Sequence, residues 1–148
     1  MTSVLLVCRA NLCRSPMAEV VFRACALALR VQRVASAGVW AGSRPERMDP
    51  RAAACLERRR YVLDPKWRSR KVAREDLAKF EIILALDNEV LGGLQKLFPE
   101  APARRLRLLL DHVPGLAGQD VPDPYYSSAQ GFEHALDLIE RAVGSFRP

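Results

Sequence analysis

Short, uninterrupted apolar segments alternate along the chain with segments of helical periodicity, and this alternation constrains the fold more than any other feature. The first apolar segment, Ser-Val-Leu-Leu-Val-Cys at residues 3–8, is continuous and rich in strand-forming residues. Strands of this kind are typical of a parallel sheet covered on both faces, whereas half-exposed strands alternate apolar and polar residues. The sequence therefore predicts an α/β fold in which helices cover both faces of a parallel sheet.

The pattern predicts four strands and five helices in a single domain. The strands are expected at residues 3–8, 31–37, 81–86 and 105–110. The helices are expected at residues 17–29, 50–61, 74–80, 88–98 and 128–146. Pro16 suits the first turn of a helix, and Asp49 suits a helix N-cap. Since the 148 residues contain no repeat or linker, one domain spanning residues 1–148 is predicted.

The charge and apolar composition of the chain indicate which kinds of partner it can bind. The net charge is +6, and the basic residues cluster at 58–60, 68–71 and 104–107. No aromatic residues interleave with these clusters as they do in a single-strand stacking platform, so we predict solvated faces and no nucleic-acid partner. No segment has the length of a signal-peptide core or a membrane helix. We therefore expect a cytoplasmic protein without a membrane partner.

Four cysteines are present, and their spacing does not match a zinc site. Cys8 and Cys13 are not followed by a second pair, and the two histidines lie far along the chain. The cysteine spacing therefore does not predict a zinc site. Cys25 and Cys55 fall in predicted helices and are expected to be core residues.

Cys8 stands at the predicted carboxyl end of the first strand, where ligands bind in sheets of this type. The loop that follows leads into a helix, so its backbone N–H groups form a site suited to an anion. The same field favours the thiolate form of a nearby cysteine, and the Arg14 guanidinium can take two phosphate oxygens at once. These parts suit phosphoryl transfer to sulfur. The alternative is a core cysteine beside a surface arginine.

The segment VCRANLCRSPMAEVVFR at residues 7–23 closely resembles the phosphate-binding loop and first helix of the low-molecular-weight protein tyrosine phosphatases. The similarity continues at SAG (36–38), DPRA (49–52), FEIILALD (80–87) and VPDPYYSSAQGFEHALDLIERA (121–142). The resemblance implies a four-stranded parallel sheet with a phosphate-binding loop after the first strand. It also implies hydrolysis of phosphotyrosine through a phosphocysteine on Cys8, with no metal and no organic cofactor. In this scheme Arg14 binds the phosphate and Asp123 is general acid, then general base.

The resemblance assigns roles to further positions. The loop and its supports are Arg9, Ala10, Asn11, Leu12, Cys13, Ser15 and Ser36. Asn11 would adopt a left-handed conformation that holds the loop, Ser15 would donate to the Cys8 thiolate, and Ser36 would brace the loop. The substrate slot would be walled by Tyr125, with Tyr126 and Trp40. Cys13 is either a small buried apolar group or the partner of Cys8 in a disulfide formed on oxidation.

Two residues depart from the family pattern. Ala10 stands where many members have glycine, which would be costly if that position needs a positive φ. Trp67 stands where many members have a histidine that joins the hydrogen bonds bracing the loop. Since an indole cannot accept a hydrogen bond, we expect a bracing network that is smaller or completed by water.

Three other functions compete with tyrosine phosphatase activity. Arsenate reduction on this fold needs additional cysteines, which residues 70–95 lack. Phosphoarginine phosphatases of the same superfamily carry threonine where Leu12 stands, and the larger apolar residue favours an aryl phosphate. A non-catalytic phosphate-binding protein would be expected to lack the nucleophile or the acid. The expected partner is a tyrosine-phosphorylated protein, with a bacterial tyrosine kinase as one candidate.

Overall fold

The computed structural model describes residues 2–148, and within them four parallel strands form one sheet. The strands are β1 (Thr2–Cys8), β2 (Val31–Gly38), β3 (Ile82–Ala85) and β4 (Leu106–Leu108). Their order across the sheet is β2-β1-β3-β4. The predicted α/β class and four-stranded parallel sheet are confirmed. Met1, part of the predicted domain, lies outside the described residues.

Six α-helices and one 3-10 helix connect or follow the described strands. They are α1 (Arg14–Ala24), α2 (Ala26–Leu29), α3 (Pro50–Arg58), α4 (Asp76–Lys79), α5 (Asn88–Leu97) and α6 (Ala129–Ser145), with the 3-10 helix at Leu109–His112. The Asp49 side chain accepts a hydrogen bond from the Arg51 amide, as an N-cap does. No helix of the described chain is both long and apolar enough to cross a membrane.

The central strand β1 contributes to a separate core on each face of the sheet. Val4, Leu6 and Cys8 pack into one apolar cluster, to which α1, α3 and α6 contribute. Leu5 and Val7 pack into the other, to which α5 contributes. Side chains alternate between the faces of a strand, and here both faces are buried. The uninterrupted apolar pattern of residues 3–8 is thereby explained, and the prediction of helices on both faces is confirmed.

Two predicted elements are corrected. The helix expected at 17–29 is divided at Cys25, whose amide contacts the carbonyl oxygens of both Val21 and Phe22. The strand expected at 105–110 ends at Leu108, because the Leu108 amide donates to the Asp111 carboxylate and a 3-10 turn begins at Leu109. Both corrections involve local hydrogen bonds that override apolar periodicity.

Parallel strands bring their carboxyl ends to one edge of the sheet, and three connections meet there. Cys8 ends β1, Gly38 ends β2, and Asp87 follows β3 by two residues. The Val121 amide donates to the Leu86 carbonyl oxygen, which ties the proline-rich loop to the same edge. The candidate site therefore lies where the topology of an open parallel sheet leads us to expect a ligand.

Candidate active site

Residues 9–13 form a tight loop between β1 and α1, and three backbone hydrogen bonds hold it. The Val39 amide donates to the Cys8 carbonyl oxygen, and the Trp40 amide donates to that of Arg9. The Asp49 amide donates to the Leu12 carbonyl oxygen. The loop is thus fixed by the two residues that follow β2 and by the N-cap of α3, and it leads directly into the first turn of α1.

Gly38 allows this loop to approach the sheet closely. A Cβ at Gly38 would lie 2.8 Å from the Ala10 carbonyl carbon and from the Asn11 amide nitrogen. Asn11 adopts a φ of 58°, the left-handed conformation that asparagine tolerates. Ala10 is not among the described residues with a positive φ, so an alanine in place of the family's glycine causes no backbone strain at this position.

A chain of buried hydrogen bonds leads away from the Cys8 sulfur. Cys8 Sγ lies 2.9 Å from Ser15 Oγ, and Asn11 Nδ2 donates to Ser15 Oγ at 2.8 Å and to Ser36 Oγ at 3.0 Å. Ser36 Oγ in turn donates to Glu19 Oε1 at 2.6 Å. Since Asn11, Ser15, Ser36 and Glu19 are all buried, each of these polar groups depends on its partner.

Glu19 belongs to this series of hydrogen bonds, although the sequence did not predict it, and it connects Trp67 to the loop. Trp67 Nε1 donates to Glu19 Oε1 at 3.0 Å, and Arg23 Nε donates to Glu19 Oε2 at 3.0 Å. Because an indole cannot accept a hydrogen bond, the bracing network was expected to be smaller or completed by water. The Trp67 indole nevertheless takes part in the network, as a donor to the Glu19 carboxylate that lies beyond Ser36.

Arg14 is almost fully buried and is held by a second group of contacts. Its Nη1 donates to Asp87 Oδ2 at 2.6 Å and to the Val121 carbonyl oxygen at 2.8 Å, while Nη2 lies 3.6 Å from Asp123 Oδ2. Burial alone would lower the pKa of Arg14, but the charges of Cys8 and Asp87 outweigh it and raise that pKa. The guanidinium therefore stays charged in a buried position.

Asp87 was also missed by the sequence analysis, although it ends the FEIILALD segment. Its Oδ2 accepts a hydrogen bond from Arg14 Nη1, and its Oδ1 accepts one from the Val90 amide at the N-terminus of α5. One carboxylate therefore caps a helix and orients the buried guanidinium.

A cavity of about 300 Å³ opens above the loop, and its walls include most of the predicted site. The lining residues are Cys8, Arg9, Ala10, Leu12, Cys13, Arg14, Asp123, Tyr125 and Tyr126. The rings of Tyr125 and Tyr126 pack edge to face with centroids 4.8 Å apart. Trp40, predicted as a wall residue, does not line this cavity; its ring lies 5.1 Å from the Arg9 guanidinium.

Arg51 and Asp49 support the side of the cavity that carries Tyr125. Arg51 Nη1 donates to the Tyr125 carbonyl oxygen at 2.9 Å, and Arg51 Nη2 pairs with Asp49 Oδ2 at 2.8 Å. Burial, and to a smaller extent the negative charge of Asp49, raise the pKa of Cys13 to about 12. Cys13 is therefore protonated at neutral pH, and in this structure neither Cys13 nor Cys8 is part of a disulfide.

The arrangement can bind a phosphate-sized anion beside a nucleophilic sulfur. Loop amides, the N-terminus of α1 and the Arg14 guanidinium supply positive charge around Cys8, and Asp123 supplies a half-exposed carboxyl group at the mouth of the cavity. No cluster of three or more His, Cys, Asp or Glu side chains positioned for a metal occurs in residues 2–148.

Comparisons with known proteins agree on one family. The model of the family described as low molecular weight phosphotyrosine protein phosphatase matches residues 3–147. A low molecular weight protein-tyrosine-phosphatase from Streptomyces coelicolor is 40% identical over 150 residues, covering 94% of this chain and 87% of that protein.

Two solved structures illustrate the likeness of fold. The structure of YfkJ from Bacillus subtilis superposes with a TM-score of 0.87 at 33% identity, covering 98% of this chain and 91% of that one. A YwlE arginine phosphatase superposes with a TM-score of 0.84 at 27% identity, covering 95% and 90%. In that structure a serine replaces a cysteine, and the active-site serine is phosphorylated.

Proposed function

Since the chain belongs to the low molecular weight phosphotyrosine protein phosphatase family, we propose that it hydrolyses phosphotyrosine through a phosphocysteine intermediate on Cys8. The observation that carries this proposal is the convergence of Cys8, Arg14 and Asp123 on one cavity of about 300 Å³. The phosphorylated active-site serine of the YwlE variant, which replaces a cysteine, supports covalent transfer on this fold.

In the first step the Cys8 thiolate attacks phosphorus, and the bond to the tyrosine oxygen breaks. The loop amides and Arg14 hold the three non-bridging oxygens as charge builds on them. Asp123 gives its proton to the leaving phenolate, which is otherwise a poor leaving group. Asp87 and the Val121 carbonyl oxygen restrict the Arg14 guanidinium, so little reorganisation is needed at this step.

In the second step water attacks the phosphocysteine. The Asp123 carboxylate, now deprotonated, takes a proton from this water, and phosphate leaves as the Cys8 thiolate re-forms. Ser15 Oγ, 2.9 Å from the sulfur, stabilises the thiolate that departs. Asn11 and Ser36 keep Ser15 and the loop in place.

The remaining site residues belong to this proposal. Tyr125 and Tyr126 wall the slot for the aryl ring, and Leu12 contributes its apolar surface. Cys13, protonated at rest, is the thiol that pairs with Cys8 after oxidation and so protects the nucleophile. The proposed partner is a cytoplasmic tyrosine-phosphorylated protein, with a bacterial tyrosine kinase as one candidate.

A second candidate is phosphoarginine hydrolysis, because the YwlE arginine phosphatase superposes on this chain with a TM-score of 0.84. Leu12 argues against it. This apolar side chain lines the cavity where the resembling arginine phosphatases carry threonine, so Leu12 offers no hydrogen-bond partner to a guanidinium that loses its hydration there.

The test is hydrolysis of a phosphotyrosine peptide and of phosphoarginine as a function of pH, without added metal. We expect the peptide to be the better substrate, Cys8→Ser to be inactive, and Asp123→Ala to be slower and to lose the decline in rate at high pH. Faster turnover of phosphoarginine would favour the second candidate. A wild-type protein that binds vanadate but hydrolyses neither substrate would contradict the proposal.

A further inference from the structure

A second cavity, of about 750 Å³, is lined by the C-terminal half of α1, away from the phosphate loop that precedes this helix. We call it the rear cavity; it is bounded by α1, by residues 47–48 and by residues 60–68. None of its lining residues lines the cavity above Cys8. Its volume falls in the range of small-molecule sites. Nothing in the proposed phosphatase mechanism uses it.

The walls of the rear cavity suit a molecule with an apolar body. Val20, Met48, Tyr61 and Leu63 line it, and each is partly buried against the core. Flat or branched apolar groups placed there would leave water and contact these side chains. The wall therefore favours an aromatic or similarly compact apolar ligand.

The charge around the rear cavity favours an anion. Arg47, Arg60 and Arg68 line it, and none forms an ion pair with a residue in the described part of the chain. Of the two lining carboxylates, Glu19 is already paired with Arg23, which leaves only Asp64 to offset the three arginines. An acidic group on the ligand would meet guanidinium groups that have no carboxylate partner in the described part of the chain, although Arg68 also donates to the Pro65 and Trp67 carbonyl oxygens.

Trp67 connects the rear cavity to the reacting sulfur. Its side chain forms part of the cavity wall, and its Nε1 donates to Glu19 Oε1. The same Glu19 oxygen accepts from Ser36, and buried hydrogen bonds continue through Asn11 and Ser15 to Cys8. A ligand anion that accepts the indole N–H would take it from Glu19 and loosen the first link of this chain.

We propose that the rear cavity binds a small aromatic anion and that its occupant lowers the reactivity of Cys8 through Trp67 and Glu19. The link to catalysis rests on the proposed function of Cys8 as nucleophile. Binding and sulfur reactivity can each be measured without turnover, so failure of this proposal is distinguishable from failure of the phosphatase mechanism.

Binding is tested by titrating the full chain with anilinonaphthalene sulfonate, a fluorescent aromatic anion, in the presence of orthovanadate to fill the active site. We expect saturable binding at one site per chain. Arg47→Ser should weaken it about fivefold, whereas Arg44→Ser, an exposed arginine nearby that does not line the cavity, should not change it. Absence of saturable binding, displacement by vanadate, or equal weakening in both variants would overturn the proposal.

Coupling is tested by the rate at which iodoacetamide alkylates Cys8, followed by mass spectrometry of the peptide that contains it. Saturating anilinonaphthalene sulfonate should slow this reaction about threefold in the wild type at neutral pH, because the thiolate loses part of its hydrogen-bond support. Trp67→Phe keeps the aromatic wall but removes the donor, so it should still bind the probe and show no slowing. An unchanged rate in the wild type, or equal slowing in Trp67→Phe, would overturn the coupling.

Vanadate alone supplies the control for the phosphatase mechanism. It should protect Cys8 from alkylation whether or not the rear cavity binds the probe. If vanadate fails to protect Cys8, the proposed active site is wrong. If vanadate protects and the probe does not bind, only the inference about the rear cavity is wrong.

Discussion

At the scale of single residues, Gly38 controls how closely the phosphate loop approaches the sheet. Gly38→Ala places a methyl group within 3 Å of loop backbone atoms that cannot move away without changing the phosphate cradle. We expect a loss of about 1–3 kcal/mol in the free energy of unfolding and a larger fall, about tenfold or more, in kcat/KM. Denaturant unfolding and phosphotyrosine peptide turnover measure the two effects.

The matched control is Gly42→Ala, since a Cβ there meets no atom within 4 Å. It should leave kcat/KM unchanged. Wild-type activity in Gly38→Ala would show that the loop does not need its close approach to β2.

Individual residues at the site differ in how far the sequence reveals them. Cys8 and Arg14 stand out because the strand end, the loop and the helix that position them are contiguous in the chain. Glu19, Asp87 and Trp67 act through contacts between residues far apart in sequence, such as the bond from Trp67 to Glu19. No local pattern marks such a contact, because it exists only once the sheet has brought the segments together.

At the scale of elements, ion pairs join the C-terminal end of α3 to α6. The sequence analysis predicted only that the arginines of this basic cluster would be solvated. Arg58 and Arg59 both bind Glu133, at 2.8 and 2.7 Å, and the Cys55 thiol donates to the same carboxylate. Arg59 first, then Arg58, lower the pKa of Glu133 from 4.5 to about 2. The sequence alone does not reveal the acidic partner of this basic cluster, because Glu133 lies on a helix 75 residues after Arg58.

This depressed pKa predicts an acid-dependent contribution to stability. A carboxylate whose pKa is lower in the folded state stabilises the fold above about pH 4.5, and this contribution is lost as the pH falls toward 2. Because about a third of the Glu133 side chain is exposed, we expect only about 1 kcal/mol from it. Glu133→Gln should therefore lower the free energy of unfolding by that amount at pH 7, and much less at pH 2.5.

Urea unfolding at both pH values tests this, with Glu57→Gln as the control. Glu57 is an exposed acid on α3 that forms no ion pair among residues 2–148. Equal destabilisation by Glu133→Gln at pH 7 and pH 2.5 would show that the charge of Glu133 is not the cause.

Element boundaries show the same limit of sequence reasoning. The order and type of the strands and long helices follow from apolar periodicity, which is a property of each segment. The break at Cys25 depends on hydrogen bonds from its amide to the Val21 and Phe22 carbonyl oxygens, and the early end of β4 depends on a hydrogen bond from the Leu108 amide to the Asp111 carboxylate. Apolar periodicity carries no information about these bonds. The predicted helix therefore continued past Cys25, and the predicted strand continued past Leu108.

For the whole molecule, closure of the core depends on the last residues of the chain. Phe146 is 2% exposed, and its ring packs edge to face on Phe22 of α1 with centroids 5.2 Å apart. It thus holds the chain end against the helix that begins at the phosphate loop. Phe146→Ala should cost about 3–5 kcal/mol of unfolding free energy.

Leu27→Ala provides the comparison, since Leu27 is 89% exposed and its truncation should cost well under 1 kcal/mol. Thermal unfolding of the two variants with and without vanadate separates stability from site integrity. If Phe146→Ala unfolds like the wild type, the end of the chain is not part of the cooperative core.

The central claim is that a phosphoryl group rests on Cys8 during turnover. The most direct measurement is mass spectrometry of Asp123→Ala, denatured rapidly while it turns over p-nitrophenyl phosphate. This substrate has a good leaving group, so loss of Asp123 should slow hydrolysis of the intermediate more than its formation. We predict one phosphoryl group on the peptide that contains Cys8 and none in Asp123→Ala/Cys8→Ala. Steady turnover with no phosphoryl group on that peptide, or with one on any other residue, would contradict the account.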